Sequence, residues 1–395
     1  MRSGRFVALD SWRGIAALMV ALFHFRSTSH IADTPFILNS WMFVDLFFVL
    51  SGFVISHSYF SRLANPAQVQ QFIVLRFGRL YPLHFAMLAL YVGCELLKLA
   101  AVHFTGLTFD DVPFTGHRTV PSIFTNLLMI HALGMHDQLT WNEPSWSISV
   151  EFFVYLVFAA VVFYARRPKL WLALLAGTGC LVLALFSDIG FGAANGYGFF
   201  RALYGFCVGH FVWSAVMAAQ QNTALMARLK RHATPIEIAV TALTLAFVTY
   251  GATTPFTYAA PFVFSVTIFV FALELGALSR ALTIAPFRRL GDLSYSVYMV
   301  HGWLIWAFGV ALGPIAEKAI HLRLANMNDN MLVFGSSVWV GDALTVVYTV
   351  AVIAMSVATY NLIEKPGRDY FKALAKRLPT RQARTVQPAS SEAAS

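Results

Sequence analysis

Apolar residues fall in ten long runs, near 6–26, 38–60, 80–103, 142–165, 169–188, 197–219, 235–254, 257–278, 294–313 and 335–362. Each is long enough to cross about 30 Å of hydrocarbon as a helix, the form in which a single segment satisfies its own backbone. Polar and basic blocks separate the runs, so the pattern predicts an all-α integral membrane protein with about ten transmembrane helices. The stretch from Ser122 to Leu133 is too short to span and reads as a re-entrant or interfacial piece. Lys and Arg outside the spans collect on one side, leaving only Arg26, Lys98, Arg118, Lys318 and Arg323 on the other. By the positive-inside rule both termini are cytoplasmic. Residues 1–366 read as one transmembrane domain, and residues 367–395 as a tail that is first basic and then small, polar and disordered. Its basic part, Lys365 to Arg384, reads as a contact with anionic lipid. The first run carries Arg13 and His24 and no small-residue cleavage site, so it is expected to be retained as a span.

Composition agrees with a bilayer-embedded chain. Of 395 residues, 58% are hydrophobic and 12% charged, and the mean hydropathy is +0.65, outside the range of soluble domains. The net charge of +9 sits in blocks between the spans, which fits membrane topology better than a nucleic-acid surface, so no nucleic-acid partner is expected. Cys94, Cys180 and Cys207 all lie in apolar stretches and suggest neither a disulfide framework nor a metal site. No Walker A, G-x-G-x-x-G or H-E-x-x-H motif occurs, so no metal or permanently bound cofactor is expected.

Arg13 and His24 change the picture. They lie about three helical turns apart, on one face and roughly 16 Å apart along the axis. An ionisable group within a span is costly and marks function by default. Asp45, Glu151, Arg201, His210, Glu274, His301 and Asp342 join them in the apolar runs. Arg13, Arg76 and Arg79 fall nearer the cytoplasmic face, His24 and Asp45 in the outer half, and Glu151 and His301 near the middle. A cationic mouth of this kind suits an anionic, phosphate-bearing donor. An imidazole beside a carboxylate is suited to taking a proton from a hydroxyl. The same groups could relay protons in a secondary transporter, but neither the repeat symmetry nor the matched broken helices of that class is visible.

Six blocks occur in order: ALDSWRGIAALMVALFHF, FVDLFFVLSGFVIS, FIVLRFGRLYPLHF, NEPSWSISVEFFVYLVF, LGDLSYSVYMVHGWLIW and NLIEKP. Together they resemble the acyltransferase-3 family of integral membrane acyltransferases, over Ala8 to Pro366. The resemblance implies transfer of an acyl group, with acetyl the default, from cytoplasmic acyl-CoA as co-substrate. The implied acceptor is a hydroxyl of an extracytoplasmic glycan or glycolipid, or in some members a lipid or small molecule. It also implies a bacterial inner membrane. Carried onto this chain, it assigns chemistry to His24, Asp45, Glu151 and His301, donor binding to Arg13, Arg76 and Arg79, and substrate contacts to Ser145, Trp146 and Tyr295. His24 would either deprotonate the acceptor or carry the acyl group, with Asp45 or Glu151 orienting an imidazole. Ser51 and Gly52 read as tight helix packing. The chain departs from the family pattern at Phe152 and Phe153, where an acidic residue and Gln are common, and at Phe43, where Gly is common. Many relatives carry a fused hydrolase-like domain, for which this chain is expected to end too early.

Overall fold

The computed structural model describes residues 5–107, 109, 111–252, 255–312, 325–328 and 331–378. Its helices are α1 (Val7–His24), α2 (Pro35–Leu38), α3 (Phe43–Tyr59), α4 (Pro66–Thr105), α5 (Val120–Leu127), α6 (Trp146–Tyr164), α7 (Pro168–Phe186) and α8 (Gly198–Gln221). They continue as α9 (Thr223–Arg231), α10 (Ala233–Gly251), α11 (Ala260–Ala272), α12 (Ala277–Leu282), α13 (Ala285–Trp306), α14 (Val338–Thr359) and α15 (Lys365–Arg377). A two-stranded antiparallel hairpin, β1 (Ala325–Asn328) and β2 (Met331–Phe334), interrupts the helical architecture.

Among the described residues, nine helices are long and apolar enough to cross a membrane. The expected tenth, 294–313, is the later part of α13 and a following π-helical turn, Ala307–Leu312. Helix α13 begins earlier, at Ala285, and takes in Arg288, Arg289 and Asp292, which lower its hydropathy below that of the other nine. The re-entrant or interfacial stretch contains only the eight-residue helix α5, too short to cross. Helix α4 runs for 40 residues where the apolar run covered only 80–103. The Asn65 side chain caps its start by accepting from the Gln68 N–H at 3.0 Å, and Pro66 follows at the first helical position. Helix α14 passes through a π-helical turn, Tyr360–Glu364, directly into α15, so residues 367–377 lie against α4. Residues 379–395 lie outside the described ones.

Two helix pairs build the interior, α1 with α13 and α3 with α8. Helix α3 is central, with 72% of its most apolar window buried, whereas α7 is peripheral at 17%. Leu170, Trp171, Leu174, Leu181 and Leu185 of α7 face outward, as a lipid-facing surface requires. Glycine permits both close approaches. A Cβ on Gly14 would stand 2.5 Å from the Leu290 carbonyl carbon, and one on Gly52 would stand 1.9 Å from the Phe206 oxygen. Any larger residue must therefore separate the backbones.

Helix α1 is fixed at both ends. Glu274 accepts the Ala8 N–H at 2.9 Å, satisfying a donor of the first turn. Beyond its C-terminus, Asp342 accepts from Ser29 Oγ at 2.7 Å and the His30 N–H at 2.9 Å. Phe334 of β2 exchanges backbone hydrogen bonds with Arg26 and Thr28 at 2.9 Å. The Phe25 ring lies between Phe334 and Tyr348, with centroids 4.4 and 4.1 Å away.

Candidate active site

A cavity of about 150 Å³ lies between α1, α3, α4, α6 and α13. Its polar lining includes Arg13, Arg76, Arg79, Glu151, Ser147 and Tyr298. Helices α1 and α13 run in the same direction: Arg13 meets Ser294 and Gly291, and further along both helices His24 meets His301. The shared face predicted for Arg13 and His24 is thus matched by a second face, Ser294, Tyr298 and His301 on α13.

Each arginine is held differently. Arg13 donates from Nε to Ser294 Oγ at 2.8 Å and from Nη2 to the Gly291 carbonyl at 3.2 Å, and pairs with Asp10 at 3.2 Å. Arg79 is neutralised by buried Glu364, which also accepts from Ser296 Oγ at 2.7 Å. The Arg79 guanidinium lies 5.3 Å from the Tyr295 ring centre, and the Tyr295 hydroxyl donates to the Leu80 carbonyl at 2.5 Å. Among the described residues Arg76 has no carboxylate partner. It donates to the Tyr59 hydroxyl at 3.2 Å and leaves its Nε buried without a partner among the described residues.

His301 lies directly behind Tyr298, with ring centroids 5.7 Å apart, and the His24 ring is 4.9 Å from His301. Each imidazole meets the carbonyl four residues earlier through Nδ1: His24 with Val20 at 2.9 Å, His301 with Val297 at 3.3 Å. A carbonyl only accepts, so Nδ1 carries the proton in both neutral rings and Nε2 carries the lone pair. The Nε2 of His301 is buried and unpaired among the described residues. Tyr348, fully buried on α14, fastens this region: its hydroxyl lies 3.2 Å from the Ala21 carbonyl and 3.3 Å from the His301 carbonyl.

The carboxylates expected beside an imidazole have other partners. Asp45 accepts two hydrogen bonds from Arg201, at 2.9 and 2.7 Å, and both groups are buried. Arg201 also lies against the rings of Trp41, Trp146 and Phe191. Glu151 lines the cavity and accepts from the Tyr155 hydroxyl at 2.6 Å, while Ser51 stands 2.9 Å from the same hydroxyl. No carboxylate–imidazole hydrogen bond to His24 or His301 forms among the described residues. Tyr295 lines the cavity, but Ser145 and Trp146 do not. Ser147, one helical turn from Glu151, does line it and lies 2.8 Å from the Tyr298 hydroxyl. Ser145 is instead 3.1 Å from Nε2 of His131. His131 lies outside the long apolar helices, and burial, aided by neighbouring His84, pushes its pKa down to about 3.

Sequence reasoning missed Tyr348, Glu364 and Tyr298 as residues that shape the site. Glu364 and Tyr298 stand within two of the six quoted blocks, and that was their only signal. Tyr348 stands in an ordinary apolar run and carried none. No group of three or more His, Cys, Asp or Glu side chains able to hold a metal occurs among the described residues.

The chain is 33% identical over 167 residues to "Protein 2 in picA locus" of Rhizobium radiobacter, covering 39% of this chain and 81% of that one. It is 24% identical over 322 residues to the peptidoglycan O-acetyltransferase OatA of Listeria monocytogenes, covering 74% of this chain and 48% of OatA. It is 29% identical over 164 residues to the acyltransferase MdmB of Streptomyces mycarofaciens, covering 39% of this chain and 38% of MdmB. No solved structure matches. The profile of acyltransferase family 3, described as an acyltransferase domain, matches residues 6–360. That match takes in α1, α13 and every residue lining the central cavity, and the chain belongs to the acyltransferase-3 family of membrane proteins.

Proposed function

We propose that the protein moves an acyl group, acetyl by default, from acyl-CoA entering on the cytoplasmic side to a hydroxyl of a glycan on the other side. The observation that carries this reading is the arrangement along α1 and α13. Arg13, Arg76 and Arg79 line one cavity, and its Tyr298 wall leads to the facing rings of His301 and His24. Guanidinium groups suit the donor's phosphates, and the cavity gives its thioester arm a path toward the histidines. Nε2 of His24 takes the proton of the acceptor hydroxyl as that oxygen attacks the thioester carbonyl. The carbon–sulfur bond then breaks with its electron pair on sulfur, and the imidazolium returns the proton to give free CoA thiol and the ester. His301 Nε2, unpaired in the described structure, is available to accept a hydrogen bond from a neighbouring hydroxyl of the acceptor.

The glycan acceptor is supported by the groups beyond His301. The indole N–H groups of Trp303 and Trp306 and Oδ1 of Asn142 are buried and unpaired among the described residues. Aromatic faces with free donors and an amide oxygen suit a sugar ring. The name of the Listeria relative, a peptidoglycan O-acetyltransferase, points the same way.

The reading is tested with purified protein in proteoliposomes, using acetyl-labelled CoA and a panel of glycan acceptors. We expect thiol release and acceptor labelling in equal amounts, both dependent on the protein. Absence of thiol release with every acceptor, from protein that remains folded, would overturn it.

A further inference from the structure

A second cavity, of about 380 Å³, adjoins the first and shares Arg76 and Arg79 with it. Its other walls are α15, through Arg368, Lys372 and Lys376, and the Tyr59 and Gln71 side chains. The three cations recur every four residues, so they form one stripe about 12 Å long on α15. No carboxylate lines this cavity, and among the described residues Arg76, Arg368, Lys372 and Lys376 form no ion pair. Apart from the Glu364 partner of Arg79, this concentration of positive charge has no carboxylate partner among the described residues.

Helix α15 is firmly placed. The Phe371 ring fills the space beside Gly78, where a Cβ would stand 2.1 Å from the Phe371 Cβ, and lies 5.6 Å from the Phe77 ring. Gly367 sits against the Pro82 ring, where a Cβ would stand 2.6 Å from the proline Cβ. With these contacts on one side of α15, the cationic stripe is turned toward Arg76.

We propose that α15 and Arg76 form the receptor for the nucleotide end of the donor, holding its phosphates through Arg368, Lys372 and Lys376. This rests on the acyl-CoA reading above. Fork-shaped Arg76 suits a phosphate oxygen pair, and the two lysines act as mobile point charges around the remaining phosphate. Arg79, already neutralised by Glu364, forms the sill between the nucleotide cavity and the thioester channel. Anionic lipid is the competing occupant of a basic helix at a membrane surface. The nucleotide is favoured because the stripe lines a cavity that shares two arginines with the inner channel.

The experiment compares acetyl-CoA with acetyl-pantetheine, which has the same thioester arm and no nucleotide, using full-length protein in neutral-lipid nanodiscs. In the R368Q/K372Q/K376Q variant we expect the KM for acetyl-CoA to rise at least about tenfold, the loss of one or more charge-assisted contacts. Its kcat, and its kcat/KM for acetyl-pantetheine, should stay at wild-type values. An unchanged KM for acetyl-CoA would overturn the proposal. An equal fall for both donors would also overturn it, by showing that α15 acts on the fold rather than on the nucleotide. If restoring anionic lipid shifts the thermal midpoint of wild type but not of the variant, with equal KM in both, the stripe is a lipid site. Failure of the wild type to use acetyl-CoA at all, with the protein folded, would instead defeat the donor reading itself.

Discussion

Asp45→Ala is expected to destabilise the protein by roughly 3–5 kcal/mol, the usual cost of leaving a buried charge without its partner. Arg201 and Asp45 are 2% and 0% exposed, and the two-bond contact between them joins α8 to the central helix α3. Removing the carboxylate leaves the guanidinium among Trp41, Trp146 and Phe191 with only ring faces and the Ala193 carbonyl, 3.3 Å from Nη1, to meet it. Thermal unfolding in detergent, followed by tryptophan fluorescence, checks this directly. The double variant Asp45→Asn/Arg201→Met removes both charges at nearly constant volume, and should recover most of the lost midpoint. If Asp45→Ala melted with the wild type, the pair would not be the clamp that its geometry describes.

His24→Ala is the substitution expected to affect transfer most, lowering kcat by about 100- to 10,000-fold, the range for loss of a positioned general base. Its ring lies at the end of α1 with Nδ1 engaged by Val20, so removing it deletes the lone pair at Nε2 and, within the described structure, only that one hydrogen bond. The donor groups Arg13, Arg76 and Arg79 remain in place, so the KM for acyl-CoA should be little changed. His24→Gln, which keeps polarity and approximate volume but cannot take a proton at neutral pH, should be as inactive as the alanine variant. Single-turnover rates on membranes matched for protein abundance measure the effect. Wild-type rates in either variant would move the base elsewhere, with His301 the nearest imidazole.

Where the chemistry depended on local periodicity, it was legible from the residues. Arg13 and His24 share a face because α1 is regular over its whole length, and the long apolar runs became helices because a bilayer leaves the backbone little choice. The eight residues of α5 were correctly too short to cross. What hydropathy cannot see is a helix whose sequence is polar. The first turns of α4, with Gln68, Gln70 and Gln71, and all of α15 are helical through capping, packing and continuity rather than through apolar content. The basic stretch after Glu364 therefore gave no sign that it is a helix lying against α4 beside Arg76. Pairings across sequence were equally hidden. Asp45 looked like a partner for an imidazole because nothing local shows that Arg201, 156 residues away, faces it. Tyr348 holds the backbones of α1 and α13 together beside both histidines from within a run of ordinary apolar residues.

The most direct test of acyl transfer to a glycan is mass spectrometry of surface polysaccharide and peptidoglycan fractions from cells with the protein, without it, and with His24→Ala at equal membrane abundance. The account predicts a mass increment of one acyl group on a glycan fraction, present only with the wild-type protein. Identical spectra from all three, or an increment that persists in His24→Ala, would contradict it.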